Sequence, residues 1–164
     1  MNILQVFNGF SDRWNANGYY ALTLSEGLRN LGHNVMCAGD PGSPFIEKAK
    51  QRGLPVYEIR VDTNNPLRYF PIAKRMTRLI RSEGIDVVNC HRGMVMAAFI
   101  HAAKRSGRAV QVVRTHGEPR FPNTHFLSRA ETRRIDKIIT TTERMRDFYI
   151  RNLGIDSKNI TTIY

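Results

Sequence analysis

The densest chemistry in this 164-residue sequence lies at Thr115-His116-Gly117-Glu118, one residue beyond an apolar run at 110–113. A histidine titrates close to neutral pH and can grip or protonate a ligand hydroxyl, which makes His116 the candidate catalytic group. The competing reading is a loop histidine that only hydrogen-bonds backbone. Chain order gathers His91 and Arg92 after another apolar run at 87–90, and sets Arg114, Glu118 and Arg120 beside His116. Guanidinium forks suit a phosphate or carboxylate, so this set is expected to hold a polar substrate. A third position is Asn17-Gly18, after a run at 3–7. There a helix start would offer free N–H groups to a phosphate; a glycine needed only for the turn is the alternative.

Other chemistries lack their residues. His91, His101, His116 and His125 show no ligand spacing, and neither cysteine is near them in sequence, so no metal is expected. No serine sits in a glycine-flanked nucleophile elbow. The first turn has neither the three-glycine dinucleotide fingerprint nor a Walker loop.

Positioning these residues requires a regular frame. Apolar runs of strand length recur at 3–7, 35–37, 56–59, 87–90, 110–113, 138–141 and 160–163, rich in β-branched residues. Helical patterns separate them, at 21–31, 47–52, 66–82, 94–104, 124–134 and 143–152, several followed by glycine stops such as Gly32, Gly84 and Gly154. Strict alternation of strand and helix implies an α/β fold. The expected architecture is a Rossmann-like, doubly wound, mostly parallel sheet of about seven strands with helices on both faces. In such sheets ligands bind beyond the carboxyl ends of the strands, which selects the loops at 8–18, 39–43, 91–93 and 115–120.

Composition bounds the rest. One domain is expected at this length, and 41% hydrophobic with 24% charged residues is ordinary globular usage. No apolar run reaches bilayer length and the first residues pass straight into a strand pattern, so a cytoplasmic location is expected. Cys37 and Cys90 are expected as free thiols. The net charge of +11 would attract a polyanion, whether nucleic acid, anionic lipid or a phosphorylated ligand, although solubility alone is the plainer account. Within the helix at 66–82, Tyr69, Ile72, Ala73, Met76, Leu79 and Ile80 make an apolar stripe opposed by Arg68, Lys74, Arg75, Arg78 and Arg81. That pattern fits a sheet-covering helix, or one resting on an anionic membrane at the inner face of the cell. The run at 160–163 ends at Tyr164 without a turn, which suggests a piece of a longer protein.

Several segments, in order, resemble the N-terminal domain of a GT-B glycosyltransferase of the retaining family 4 type. They are Asn2-Ile3-Leu4-Gln5-Val6, the Gly18 turn, Leu31-Gly32-His33-Asn34-Val35, Ile85-Asp86-Val87-Val88-Asn89-Cys90-His91, Val112-Val113-Arg114-Thr115-His116-Gly117, Asp136 to Glu143, and Lys158 to Tyr164. The resemblance implies an acceptor-side domain, with a nucleotide-sugar donor held by a C-terminal domain that also carries a glutamate pair. No two glutamates here stand eight positions apart, so the chain alone is expected to lack turnover. It further implies that Gly18 approaches the donor phosphates and that His116 assists the transferred sugar through a hydrogen bond. The family commonly has two glycines at the first turn, and Asn17 occupies the first place here. His91, Arg92, Arg114, Glu118 and Arg120, chosen on their own chemistry and not as family assignments, are the candidates for binding a glycan or lipid-linked acceptor in cell-surface polysaccharide or lipopolysaccharide synthesis. A basic nucleic-acid-binding module and half of a nucleotide-sugar epimerase are the other readings, although classical nucleic-acid motifs are absent.

Overall fold

The computed structural model describes residues 1–8, 15–60, 66–92 and 96–164, with the side chains of all but 66–68. Among them seven strands alternate with six α-helices: β1 Asn2–Val6, α1 Ala16–Asn30, β2 Asn34–Gly39, α2 Pro44–Gln51, β3 Val56–Glu58, α3 Pro66–Ser82, β4 Val87–Cys90, α4 Met96–Arg105, β5 Gln111–His116, α5 Phe126–Thr132, β6 Lys137–Thr140, α6 Glu143–Leu153 and β7 Ile160–Thr162. The strands form one sheet in the order β3-β2-β1-β4-β5-β6-β7, and every pairing is parallel. The chain winds outward from β1 in one direction, then returns through α3 to place β4 on β1's other side. That reversal between β1 and β4 opens a crevice at their carboxyl ends.

Alternation along each strand sends neighbouring side chains to opposite faces. On one face Phe7 and Cys37 pack against Ala21 and Leu22 of α1 and Phe45 and Ile46 of α2. On the other, Leu4, Val6, Val88 and Val112 meet a larger layer from α3, α4 and α6, including Met76, Phe99 and Tyr149. Each fully buried side chain of this size contributes roughly 1.5–3 kcal/mol, so these two layers outweigh local propensity in fixing the fold.

Helix ends are settled by specific side chains. Asn15 Oδ1 accepts from Gly18 N–H at 3.0 Å, and Thr142 Oγ1 accepts from Met145 N–H at 3.2 Å. Gly154 closes α6 in the left-handed conformation, φ 68°. The stripe of α3 is buried as its spacing predicts, from Ile72 to Ile80. Arg81, exposed as expected of an outward cation, also donates to the carbonyls of Ser106 (2.8 Å) and Arg105 (2.8 Å), satisfying the free end of α4. Lys74, Arg75 and Arg78 are exposed. The side chain of Arg68, residues 9–14 and 93 of the expected ligand loops, and residues 94–95 at the start of the expected helix 94–104 lie outside the described set.

Three expected boundaries move, each for a reason that bears on function. Helix α1 begins at Ala16, so Asn17 and Gly18 belong to its first turn and not to a loop; the cap at Asn15 starts the helix early. Strand β5 runs on through Arg114 to His116, because these polar groups find partners inside the fold. Helix α5 is shorter than the expected 124–134, with His125 at its N-cap and Arg133 at its C-cap.

Candidate functional site

His116 ends β5 on the face covered by α3, α4 and α6, and is 1% exposed. It is therefore a buried strand residue where a loop residue was expected. Its Nε2 lies 3.0 Å from the carbonyl of Arg120 and its Nδ1 2.8 Å from Tyr149 Oη. A carbonyl can only accept, so Nε2 carries the proton and Nδ1 accepts from the tyrosine hydroxyl. Tyr149 Oη in turn accepts from Arg114 Nε at 3.0 Å. The result is a directed chain from Arg114 through Tyr149 to His116 and on to the loop backbone. Burial, and then the Arg114 charge, push His116 down to about 4, against the opposing pull of its backbone bonds to Arg120 and Glu118. At neutral pH the ring is a neutral hydrogen-bond donor and not an acid.

This chain forms the floor of a cleft of about 430 Å³. Arg92, Glu118 and Arg120 join Arg114 and His116 around it, with Phe121, Ser128, Glu131 and Tyr149 completing much of the wall. Arg92 Nε donates to Glu118 Oε1 at 3.1 Å, so these two expected binding residues partly satisfy each other. Phe121 stacks on Phe148 (4.4 Å between centroids, 19° between planes), and Arg144 lies over its ring at 5.1 Å. Burial raises the Glu131 carboxyl, an effect that Arg134 opposes.

His91 is the exception among the acceptor candidates. It is absent from the cleft lining and sits at the β1–β4 crevice on the opposite face, 3% exposed. Its Nε2–H donates to Gln5 Oε1 (2.7 Å), which also receives Asn89 Nδ2–H (3.0 Å), while Thr115 donates to Asn89 Oδ1 (3.0 Å). Burial, then Arg114, push His91 down to about 3. A smaller hollow of about 170 Å³ lies here, lined by His91, Ala16, Asn17, Tyr20, Thr115, Gly117 and Thr141. The structure thus divides the expected site in two. Arg92, Arg114, His116, Glu118 and Arg120 share the large cleft, whereas Asn17 and His91 share the small hollow. Gly18 is buried, and its N–H already bonds the Asn15 cap, so its role as a free phosphate donor is not available in this arrangement.

The family model for glycosyltransferase family 4 matches residues 18–164. The chain belongs to that family. Solved structures with the same fold include a glycosyltransferase from Rickettsia africae, at 19% identity over 99% of this chain and 42% of that one, TM-score 0.79. The Anabaena protein HepE in complex with UDP and glucose aligns at 13% identity over 100% of this chain and 44% of that one, TM-score 0.75. A UDP-GlcNAc 2-epimerase from Methanocaldococcus jannaschii aligns at 13% identity over 99% and 45%, TM-score 0.69. No curated protein matches the chain. This family 4 chain therefore spans less than half the length of those structures and has the Rossmann-like fold of an N-terminal GT-B domain.

Sequence reasoning missed Tyr149, which holds His116 and Arg114 together in this family 4 domain. Its signal was its place in the stripe Met145-Tyr149-Leu153, where a hydroxyl on a core-facing helix side needs a partner. Gln5 and Asn89 were missed too. Each interrupts an otherwise apolar strand, and a buried amide implies a hydrogen-bonding companion.

Proposed function

We propose that this chain is the acceptor-binding half of a retaining glycosyltransferase. It would work with its own C-terminal domain to move a sugar, of hexose type, from a nucleotide-sugar donor to a glycan or lipid-linked acceptor in cell-surface polysaccharide or lipopolysaccharide synthesis. The observation that carries this reading is the position of His116, a neutral donor ending β5 at the floor of a cation-lined cleft, in a chain of glycosyltransferase family 4. The cleft belongs to the acceptor, and the small hollow beside Asn17 to the donor side. The proposed reaction needs no metal or other cofactor, because helix N-termini and guanidinium groups stabilise the negative charge growing on a departing diphosphate.

His116 would act by hydrogen bonding. Its Nε2–H faces the carbonyl of Arg120, and a sugar hydroxyl replacing that carbonyl would receive the same N–H as the loop after β5 moves aside. The proposed working place is the cytoplasm, at the inner face of the membrane, with α3 offering Lys74, Arg75 and Arg78 to anionic lipid. Among the described residues no helix is long and apolar enough to cross a membrane.

The test is to incubate the full-length protein with a panel of nucleotide sugars and with glycan and lipid-linked acceptors, reading the anomeric configuration of any product by NMR. Transfer with retained configuration is the expected result. Inverted configuration would overturn retention, and a nucleotide sugar epimerised without transfer would move the protein to the epimerase reading.

A further inference from the structure

Arg114 is 6% exposed, in the middle of a sheet, and carries a charge that proteins do not neutralise. A buried cation without a counter-charge is costly, so what surrounds it is informative. Its Nε bonds Tyr149 Oη, a neutral phenol whose ionisation burial opposes. The other groups that feel its charge, the thiol of Cys90 (pushed by burial up to about 12) and the imidazoles of His91 and His116, are neutral as well. Two carboxylates line the same cleft: Glu118 is paired with Arg92, and Glu131 is held toward its neutral form by burial, against the pull of the Arg134 charge. Among the described ion pairs none includes Arg114. Yet Arg114 lines the 430 Å³ cleft and is not sealed beneath it. Tyr149 pins the guanidinium by Nε, so the two terminal nitrogens remain as a planar fork, the geometry that takes two oxygens of one oxyanion side by side.

We infer that the substrate bound in this cleft carries an oxyanion, a phosphate or a carboxylate, and that Arg114 is the residue that receives it. This rests on the reading of the cleft as the acceptor side, and it narrows the acceptor to anionic sugars or sugar phosphates. Arg120, an exposed residue at the cleft, adds a second cation beside the entering group. The volume is enough for a monosaccharide-sized ligand, within the usual range of roughly 300–1,000 Å³ for small-molecule sites.

The experiment uses the 164-residue chain with inorganic phosphate, glucuronate and, as a neutral control, glucose, read by thermal unfolding and by NMR of the histidine and tyrosine rings at fixed ionic strength. Phosphate or glucuronate should raise the unfolding temperature saturably and shift the His116 and Tyr149 rings, while glucose should not. Stronger binding by phosphate or by glucuronate tells which oxyanion the site prefers. Arg114→Gln should weaken that binding at least tenfold and Arg151→Gln, on the outer side of α6, should leave it unchanged. If Arg114→Gln does not fold, Arg114→Lys keeps the charge without the fork and should still lose several-fold. If neither variant folds, the ring shifts in the native chain decide. Equal stabilisation by chloride, unchanged affinity in the Arg114 variants, or His116 and Tyr149 rings that do not move would overturn the inference. A full-length enzyme that glycosylates neutral acceptors as well as anionic ones, with Arg114→Gln indifferent, would sink the anion site and leave the transferase reading standing. Phosphate binding at Arg114 in a protein that transfers no sugar would do the reverse.

Discussion

His91 and His116 stand at the ends of neighbouring strands, both almost fully buried, both with Nε2–H donated to a carbonyl oxygen, and both held neutral by burial and the charge of Arg114. They differ in what completes them. Around His91 the companions are the amides of Gln5 and Asn89 and the hydroxyl of Thr115, with the edge of Tyr20 against the ring at 6.1 Å. That cluster is internally satisfied and joins β1, β4 and β5 across the reversal point. Around His116 the chain of bonds begins at a guanidinium that belongs to none of the described ion pairs, and opens on a cleft. Two histidines with similar burial and similar titration thus serve different ends, and the neighbouring charge distinguishes them better than the histidine itself does.

The largest effect that would sharpen this contrast is on turnover. His116→Ala in the full-length enzyme is expected to lower kcat about 100-fold, as loss of a donor at a reacting sugar typically does, while denaturant unfolding shows a loss of only about 1–3 kcal/mol. Unchanged kcat would remove His116 from the site. Asn89→Leu should have the opposite profile. It leaves the Thr115 hydroxyl without its acceptor and costs about 1–3 kcal/mol of stability, with affinity for phosphate in the cleft unaltered; a parallel loss of affinity would show the two clusters to be one.

Acid separates them more gently. In the folded chain the rings stay neutral down to about 4 for His116 and about 3 for His91, whereas an unfolded histidine takes a proton near about 6.5. Between these values the unfolded chain binds more protons, so stability rises with pH and is lost as pH falls from 6.5 toward 4. The unfolding temperature should fall over that interval, and His91→Gln, which keeps a donor for Gln5, should flatten the slope. A profile independent of His91 would mean that its ring is protonated in the fold. Tyr149→Phe should cost about 1 kcal/mol and release His116 Nδ1, seen as a change in the ring's nitrogen shifts. Last, anionic liposomes should recover more of the chain than neutral ones, and Arg75→Glu with Arg78→Glu should abolish the difference; equal recovery from both would leave α3 as a covering helix alone.

The sheet was open to sequence reading because buried parallel strands are nearly continuous apolar runs, and those at 3–7 and 87–90 lie almost where the strands do. The site was less so. At 110–116 the apolar run breaks at Arg114, which reads as a strand end, although Tyr149, 35 residues further on, supplies the bond that lets the strand continue. A partner brought by tertiary packing leaves no local trace. For the same reason His91 and His116 look alike as residues after a strand, and only the faces they take tell them apart. The start of α1 was misplaced because Gly18 suggests a turn, while the capping side chain that begins the helix sits three positions earlier.

Gly117 stands beside both regions, next to His116 in the chain and on the lining of the small hollow. A methyl group placed there would fall 2.8 Å from Asn17 Oδ1, closer than carbon and oxygen approach without one of them yielding. The atom that would yield is the tip of a short side chain, not the backbone of α1. The position therefore acts as a set-screw: a single added carbon would turn Asn17 out of its place and reshape the small hollow while the cleft floor stayed as it is.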